Sequence, residues 1–598
     1  MKRIHISKSY QFPYLLLAFI MTGLLLWRII FVVFNGTDDL FSVIAASIRL
    51  DLSMTAGFFM LCFIPYVAYM FSGMNWIRIL LKWVAILLWI FISIVEMSSV
   101  LLFKEWGTTL DNRAVSYLSN PVEMWASVER FIPWHMLLVS LLLLGTGIWI
   151  CILLFKNWMP VKNKYVIKGI YLLLLGGFAL LIFRGGWQKV VITPSDAFFS
   201  NDMNKNFAAT NKVWYSLYAV SKSGKLETNN SDEAINNFEK KYRSNQCTSS
   251  DMDGAWKGKN IVLLILEGWS ADMVGYLYGK DKVTPFFDSL SQHSVRIRNA
   301  FSTGFRTDQG LGCVLSGVPS MQGENILKKL DKVRKLPGLP DIMKANGYTT
   351  SFVYGGDLNF ANLYNYLAVL GFDTIIGQQS FVNGEQSSDW GIPDHIAAGK
   401  ALDIMNAQQQ PFFSSWLLLS SHAPFEVPVP NAFTGLTDIP SQYKSSVAYS
   451  DYALKLFFDE AHKQNWFRNT VFIITADHGS THSGWAGMNE QNRFRIPMII
   501  YDPRMNTDES QEINAYCNHF DLPLTIAATV GADKHSFIWS RNIFCDDVEQ
   551  KSWWSNDVMA AVCNARVDAV HPTGIQKSSG NEEAILFLDM IKRWFNNL

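Results

Sequence analysis

The chain carries no surplus of charge: 51 lysines and arginines face 51 aspartates and glutamates across 598 residues. That balance leaves no polybasic face for nucleic acid and no acidic or basic tail. Cysteine is scarce, at seven residues, and no two follow a C-x-x-C spacing, which argues against a zinc site built from thiolates. Cys62 and Cys151 lie inside apolar runs, leaving Cys247, Cys313, Cys517, Cys545 and Cys563 in the polar part of the chain. In an oxidising compartment Cys517, Cys545 and Cys563 are able to supply one disulfide, but spacing does not reveal the pairing. Internal repeats and low-complexity tracts are also missing, which excludes solenoids and disordered arrays.

Apolar sequence is abundant, at 49% of all residues, and it is concentrated in the first third. Five runs, at 14–34, 53–71, 79–103, 136–155 and 165–183, each approach the ~20 residues of a membrane-spanning helix. Lys2, Arg3, Lys8, Arg78, Lys82, Lys156, Lys162, Lys164 and Lys168 fall on one alternating set of their ends. The positive-inside rule places that set in the cytoplasm and everything after Arg184 outside it. The first run is longer than a signal-peptide core and four more follow, so it reads as an anchor. Arg28 and Glu96 lie within the runs, where a charge is either functional or snorkels to an interface. Arg184, followed by Gly185, Gly186 and Trp187, reads as an interfacial residue. The outer loop 104–133 mixes Trp106, Tyr117 and Trp125 with charges, as an interfacial anchor does.

Composition then divides the chain into an anchor at 1–186, an extracytoplasmic linker at 187–258 and a globular catalytic domain at 259–598. From about Ser221 the linker is rich in Ser, Asn, Lys and Glu, with room for one short helix near 233–242. Beyond it, apolar or β-branched runs at 260–266, 349–354, 412–419, 471–475 and 497–501 alternate with helical patterns. This is the signature of an α/β fold with a largely parallel sheet, whose ligands gather at the carboxyl ends of the strands.

Residues at those ends carry the chemistry. The first run ends on Glu267-Gly268-Trp269 and the fourth on Asp477-His478-Gly479. Carboxylate and imidazole ligands suit manganese, zinc or magnesium, although an Asp-His pair after a strand is by itself more often a hydrogen-bonded turn. Between them, Phe305-Arg306-Thr307-Asp308-Gln309-Gly310 reads as a turn feeding a helix. Thr307 is there either a plain N-cap or a nucleophile whose alkoxide a divalent ion stabilises, with Arg306 and the helix amides drawing phosphoryl oxygens. His482 is a candidate substrate contact and Trp390 a candidate pocket wall. His293, His395, His519 and His535 read as surface or core residues, and Cys313 as a small core residue.

These motifs resemble the lipoteichoic acid synthase branch of the alkaline phosphatase and sulfatase superfamily. The resemblance runs through Arg49-Leu50-Asp51-Leu52, Arg184-Gly185-Gly186, the Glu267 and Thr307 segments, Ser421-His422-Ala423-Pro424-Phe425, Asp477-His478-Gly479, Arg495-Ile496-Pro497 and Asp521-Leu522-Pro523. It implies an alkaline phosphatase-like domain behind a five-helix transmembrane anchor. It also implies one divalent metal, Mn2+ before Zn2+ or Mg2+, held by Glu267, Thr307, Asp477 and His478, with Thr307 as nucleophile and His422 at the substrate phosphate or in proton transfer. Sulfatases proper carry a modified residue in a C/S-x-P-S-R motif that this chain lacks at Thr307 and at Cys313. Glycerolphosphate polymerases of the branch carry Trp and Arg where this chain reads Asn359-Phe360-Ala361-Asn362-Leu363, so the cationic clamp is either missing or supplied from elsewhere, with Arg306 a candidate. Asp357, after Gly355-Gly356, reads as a turn residue or as a partner for the amine of phosphoethanolamine.

The expected protein is a multi-pass enzyme of the bacterial plasma membrane with a periplasmic catalytic domain. It would move a phosphoglycerol or phosphoethanolamine head group from a phospholipid donor to an envelope glycan or lipid through a phosphothreonine. A phosphodiesterase, phosphatase or sulfatase-type hydrolase on the same fold, and a non-catalytic lipid sensor, are the alternatives.

Overall fold

A computed structural model of the chain describes residues 8–106, 109–110, 134–156, 158, 165–188, 191–200, 203–221, 226–321, 325–381, 388, 390–480, 482, 491–505, 511–545, 551–555, 560–563 and 580–598. Most of the expected interfacial loop 104–133 lies outside them. The chain folds as two compact units, Met1–Ser223 and Gly224–Leu598.

In the first unit, the five apolar runs form helices α1 (Lys8–Asn35), α2 (Leu40–Ser72), α3 (Asn75–Trp106), α4 (Trp134–Lys156) and α5 (Tyr165–Arg184). All five are long and apolar enough to cross a membrane. Each expected run falls inside one helix, and α2 is extended at its start by the polar stretch around Asp51. α2 starts where the Asp39 side chain accepts from the Ser42 amide at 3.3 Å, and stops at Gly73. Aromatic residues fill the interior: Trp27, Phe31, Phe59, Tyr66 and Tyr69 are buried, and Phe12 stacks on Trp158 at 4.1 Å.

The stretch expected to be a linker is folded. Two short helices, α6 (Met203–Ala209) and α7 (Lys212–Ser221), pack into the first unit, and the turn between them meets the two charges that fell inside the apolar runs. Arg28 donates to the carbonyls of Ala208 and Thr210, and pairs with Asp51 at 2.6 Å. The Lys212 ammonium donates to the carbonyls of Phe207 and Thr210 at 2.6 and 2.8 Å. Asp51 accepts from the Asn211 amide at 2.8 Å, and Glu96 takes the Lys212 backbone N–H. Cations thus meet the carbonyl end of α6 and acidic or amide groups meet the amide start of α7, the arrangement that helix dipoles favour. Arg28 and Glu96 are buried docking residues and neither snorkels. The two helices are short, and the segment buries Asn206, Thr210, Asn211 and Lys212 beside Phe207 and Val213, so no apolar period marks it in the sequence.

The second unit starts with α8 (Asp232–Ser244) and is built on an eight-stranded sheet in the order β4-β3-β5-β1-β6-β7-β2-β8. Its strands are β1 (Asn260–Leu266), β2 (Val295–Phe301), β3 (Thr349–Tyr354), β4 (Thr374–Ile376), β5 (Phe412–Leu417), β6 (Thr470–Ala476), β7 (Met498–Tyr501) and β8 (Glu512–Asn518). β4, β3, β5, β1 and β6 run parallel, whereas β7 pairs antiparallel with both β6 and β2. β1 and β6 are buried along their whole length, as central strands of a sheet covered on both faces must be. β2, β4 and β8 escaped the sequence reading because their apolar residues alternate with charged or polar ones (Val295-Arg296-Ile297-Arg298) or because the strand is short. The helices that matter below are α9 (Pro285–Ser291), α10 (Thr307–Ser316), α11 (Asp394–Ala407), α12 (Ile439–Ala461), α13 (Leu522–Val530) and α14 (Gly580–Asn597); β9 (Ser552–Ser555) and β10 (Ala560–Cys563) form a second, two-stranded sheet tied to β8 through the Asn518 side chain. A Cys247–Cys545 disulfide closes the unit, so Cys545 takes a partner from ahead of the first strand and Cys517 is a free buried thiol.

Candidate metal centre and active site

The parallel strands deliver their exits to one edge of the sheet. Glu267 leaves β1 and Asp477 leaves the neighbouring β6, with the Asp477 amide held on the Leu266 carbonyl at 3.1 Å. Asp477 Oδ1 accepts from the backbone amides of Gly268 at 2.8 Å and His478 at 2.7 Å, which fixes the carboxylate plane. Its other oxygen, Oδ2, is buried and has no hydrogen-bond partner among the described residues. His478 donates from Nδ1 to the Gly479 carbonyl at 3.0 Å, leaving the Nε2 lone pair 3.5 Å from Glu267 Oε1 and 3.5 Å from Asp477 Oδ2. One ligand atom from each of Glu267, Asp477 and His478 lies within 4.8 Å of the others.

Thr307 is the first residue of α10, and its hydroxyl donates to Glu267 Oε2 at 3.1 Å. Arg306 holds the N-cap position with extended backbone and no side-chain cap, so Thr307 is not the cap residue. α10 passes so close to the β6 exit that a Cβ at Gly310 would stand 2.4 Å from the Asp477 carbonyl oxygen, which only glycine permits. His519, fully buried, donates from Nε2 to that same carbonyl at 3.0 Å, and burial drives its pKa down to about 3.

The donor set fits a divalent cation. Burial raises the Glu267 pKa well above its usual value, with the Asp477 charge adding to the effect. A lone pair and two carboxylates converge, and Asp477 Oδ2 has no hydrogen-bond partner among the described residues. Such a group is costly unless an ion occupies its focus. Oxygen and imidazole ligands suit Mn2+, Zn2+ or Mg2+.

Around this centre the structure brings together His422 and Trp390, with ring centroids 4.0 Å apart. The His422 Nδ1 donates to the Ala423 carbonyl at 2.7 Å, which leaves Nε2 as an acceptor, and burial lowers its pKa. His422 lies within electrostatic reach of Asp477, His478 and His482. His482 is exposed and packs on Phe425 at 5.3 Å; burial of its ring and then the Arg493 charge lower its pKa. Arg306 is exposed and its guanidinium lies 4.9 Å from the Phe305 ring, as does that of buried Arg493. Asp357 accepts from the Asn359 amide at 2.9 Å and the Gln379 side chain at 3.2 Å, so its carboxylate serves a turn.

Sequence reasoning missed the polar belt under these exits. Asp394, at the start of α11, accepts from the Leu419 and Ser420 amides at 2.7 and 3.1 Å and from the Ser450 hydroxyl at 2.8 Å, which shapes the turn leading to His422. Ser450 pairs with Ser421, and Ser421 accepts from the Trp269 indole at 3.2 Å. Tyr443 donates to the Gly268 carbonyl at 2.7 Å and accepts from the Ser270 amide at 3.1 Å. Asp394, Tyr443 and Ser450 come from α11 and α12, far from any strand exit in sequence. The available signal was a run of polar positions on otherwise apolar helix faces.

Residues 259–532 match the family described as Sulfatase. The chain is 22% identical over 315 residues to Lipoteichoic acid synthase 2 of Bacillus subtilis (strain 168), covering 48% of this chain and 47% of that protein. It therefore spans about half the length of that relative. It is 26% identical over 214 residues to Phosphoglycerol transferase I of Escherichia coli (strain UTI89 / UPEC), covering 33% of this chain and 27% of that one. Among solved structures, a protein in the alkaline phosphatase superfamily from Vibrio parahaemolyticus superposes with a TM-score of 0.53 and 23% identity, over 62% of this chain and 96% of its own.

Proposed function

We propose, for a chain that carries a sulfatase-family domain of the alkaline phosphatase superfamily, that it is a membrane-anchored transferase that moves a phospholipid head group to an envelope glycan or lipid. The observation that carries this reading is the Thr307 hydroxyl, set 3.1 Å from Glu267 at the edge where Glu267, Asp477 and His478 converge within 4.8 Å. Similarity to a lipoteichoic acid synthase and a phosphoglycerol transferase supports it.

Glu267, Thr307, Asp477 and His478 would hold one divalent ion, Mn2+ first and Zn2+ or Mg2+ after it. Bound there, the ion supplies positive charge against the negative charge that develops on the nucleophile and the phosphoryl oxygens. Thr307 Oγ1 attacks the phosphorus of the donor lipid, the bond from phosphorus to the diacylglycerol oxygen breaks, and the proton that Thr307 loses ends on that oxygen. A phosphothreonine ester remains. An acceptor hydroxyl then displaces Thr307, and its proton returns to Thr307 Oγ1. His422, neutral and with Nε2 open, is the relay for these protons. Trp390, His422, Arg306 and His482 border the substrate. Head group is phosphoglycerol or phosphoethanolamine; the engagement of Asp357 in a turn removes the particular argument for the amine.

The test is incubation of the full-length protein with labelled phosphatidylglycerol or phosphatidylethanolamine, with and without glycan acceptors. Diacylglycerol release and an acceptor adduct are expected, with labelled phosphothreonine at Thr307 after a quench. Release of a free head group at the same rate whether or not acceptor is present would identify water as the acceptor and a hydrolase instead.

A further inference from the structure

Tyr354 ends β3, and its register partner on β5 is Leu417. It therefore emerges on the same edge of the sheet as Glu267, His422 and Asp477. Its ring tip stands over the glycines that follow: a Cβ built on Gly356 would come within 2.4 Å of Cζ and 2.6 Å of the hydroxyl oxygen. Gly356 is bridged to Gly391, the neighbour of Trp390, whose ring meets His422 at 4.0 Å. The residue is only 6% exposed. Its hydroxyl makes none of the hydrogen bonds found among the described residues, yet it is not one of their buried atoms left without a partner, so the hydroxyl tip opens to solvent.

The charges that reach this hydroxyl come from Glu267 on β1, Asp477 on β6, Asp394 on α11 and Asp357 beyond β3, and all are acidic. Burial, the foremost cause, holds the phenol proton well above its usual range of release. Tyr354 thus keeps its proton, and its ring tip lies at the strand-exit edge that carries the candidate metal centre, beside the Gly356–Gly391 bridge next to Trp390. A second cation at this place would be drawn to the carboxylates; a neutral hydroxyl adds no charge and keeps its proton available.

We propose that the Tyr354 hydroxyl donates a hydrogen bond to a nonbridging phosphoryl oxygen of a phosphodiester substrate. The assignment rests on the proposed phosphotransfer site and gives that site a neutral donor where a cationic clamp was expected. Its contribution is contact with the substrate itself and not support of another side chain. Gly356 and Gly391 leave the room that the ring needs over the β3 exit.

The experiment uses the full-length protein in detergent, loaded with manganese, and glycerophosphoglycerol, a soluble phosphodiester, as the probe. Isothermal titration compares wild type with Y354F, which removes the hydroxyl and keeps the ring. Metal content and unfolding midpoint of Y354F are expected to equal those of wild type, because the hydroxyl bonds to no described residue. Affinity for the probe is expected to fall by about tenfold, the scale of one lost hydrogen bond to a charged group. Equal affinity of the two proteins would overturn the assignment, as would a wild type that binds no diester. A wild type that binds the diester, loses that binding in Y354F, and releases no lipid head group would leave Tyr354 in place and remove the transferase reading.

Discussion

Thr307 shows how much turns on one position. Had it been the N-cap, its loss would have cost ~0.5–2 kcal/mol of helix stability, and activity and folding would be hard to separate in a variant. Arg306 occupies that position, and Thr307 instead aims its hydroxyl at Glu267. Thr307→Ala is therefore expected to lower turnover by at least ~10^3-fold while shifting unfolding stability by no more than ~0.5 kcal/mol. Lipid turnover and urea denaturation of the same preparation check both halves; an active alanine variant would remove Thr307 as nucleophile. Glu267, Thr307, Asp477 and His478 were legible in the sequence because strand exits in a parallel sheet are where ligands gather. Tyr354 and Asp394 were not, since a tyrosine at the end of an apolar strand and an aspartate at a helix start have ordinary uses that sequence alone does not distinguish.

At the scale of elements, one helix of the second unit is capped from across the chain. α9 has no cap of its own: Asp451, from α12, accepts from the amides of Phe286 and Phe287 at 2.9 and 2.8 Å. Burial pushes the Asp451 carboxyl up from 3.8 to about 7. Between those values the folded protein holds a proton that the unfolded chain has released, so this group's contribution makes stability fall as pH rises. Below pH 3.8 both states are protonated, and above about 7 both are ionised and the full cost, at most ~4 kcal/mol, is present. Asp451→Asn is expected to flatten the slope between pH 4 and 7 in denaturant titrations; an unchanged slope would show that Asp451 titrates normally. Such pairings explain why boundaries of β1 and β3 could be read from apolar runs while α9 and the α6–α7 turn could not. Their stabilising partners lie more than a hundred residues away.

For the whole molecule, five spans and the placement of lysines predict a cytoplasmic amino terminus and a second unit outside the cytoplasm. A phosphatase reporter fused after Leu598 should be active only if it is exported, and a cytoplasmic reporter active there instead would overturn the topology. The disulfide is in keeping with an oxidising location. Because Cys247 and Cys545 are separated by 298 residues, Cys545→Ser is expected to cost ~2–5 kcal/mol of stability, read from denaturant midpoints; no change on reduction of the wild type would show the bond to be dispensable. One further consequence lies in how the second unit begins and ends. The Leu226 amide and carbonyl pair with the Asn596 side chain at 2.9 and 2.8 Å, and the amides of Asn229 and Asn230 share one oxygen of Asp589 on α14. Entry and exit segments of the unit are thus stitched side by side, the geometry that tolerates circular permutation. A rearranged gene that joins α14 to α8 by a short loop and opens new termini in a surface turn should still yield the same sheet, freed from the order in which the ribosome delivers it.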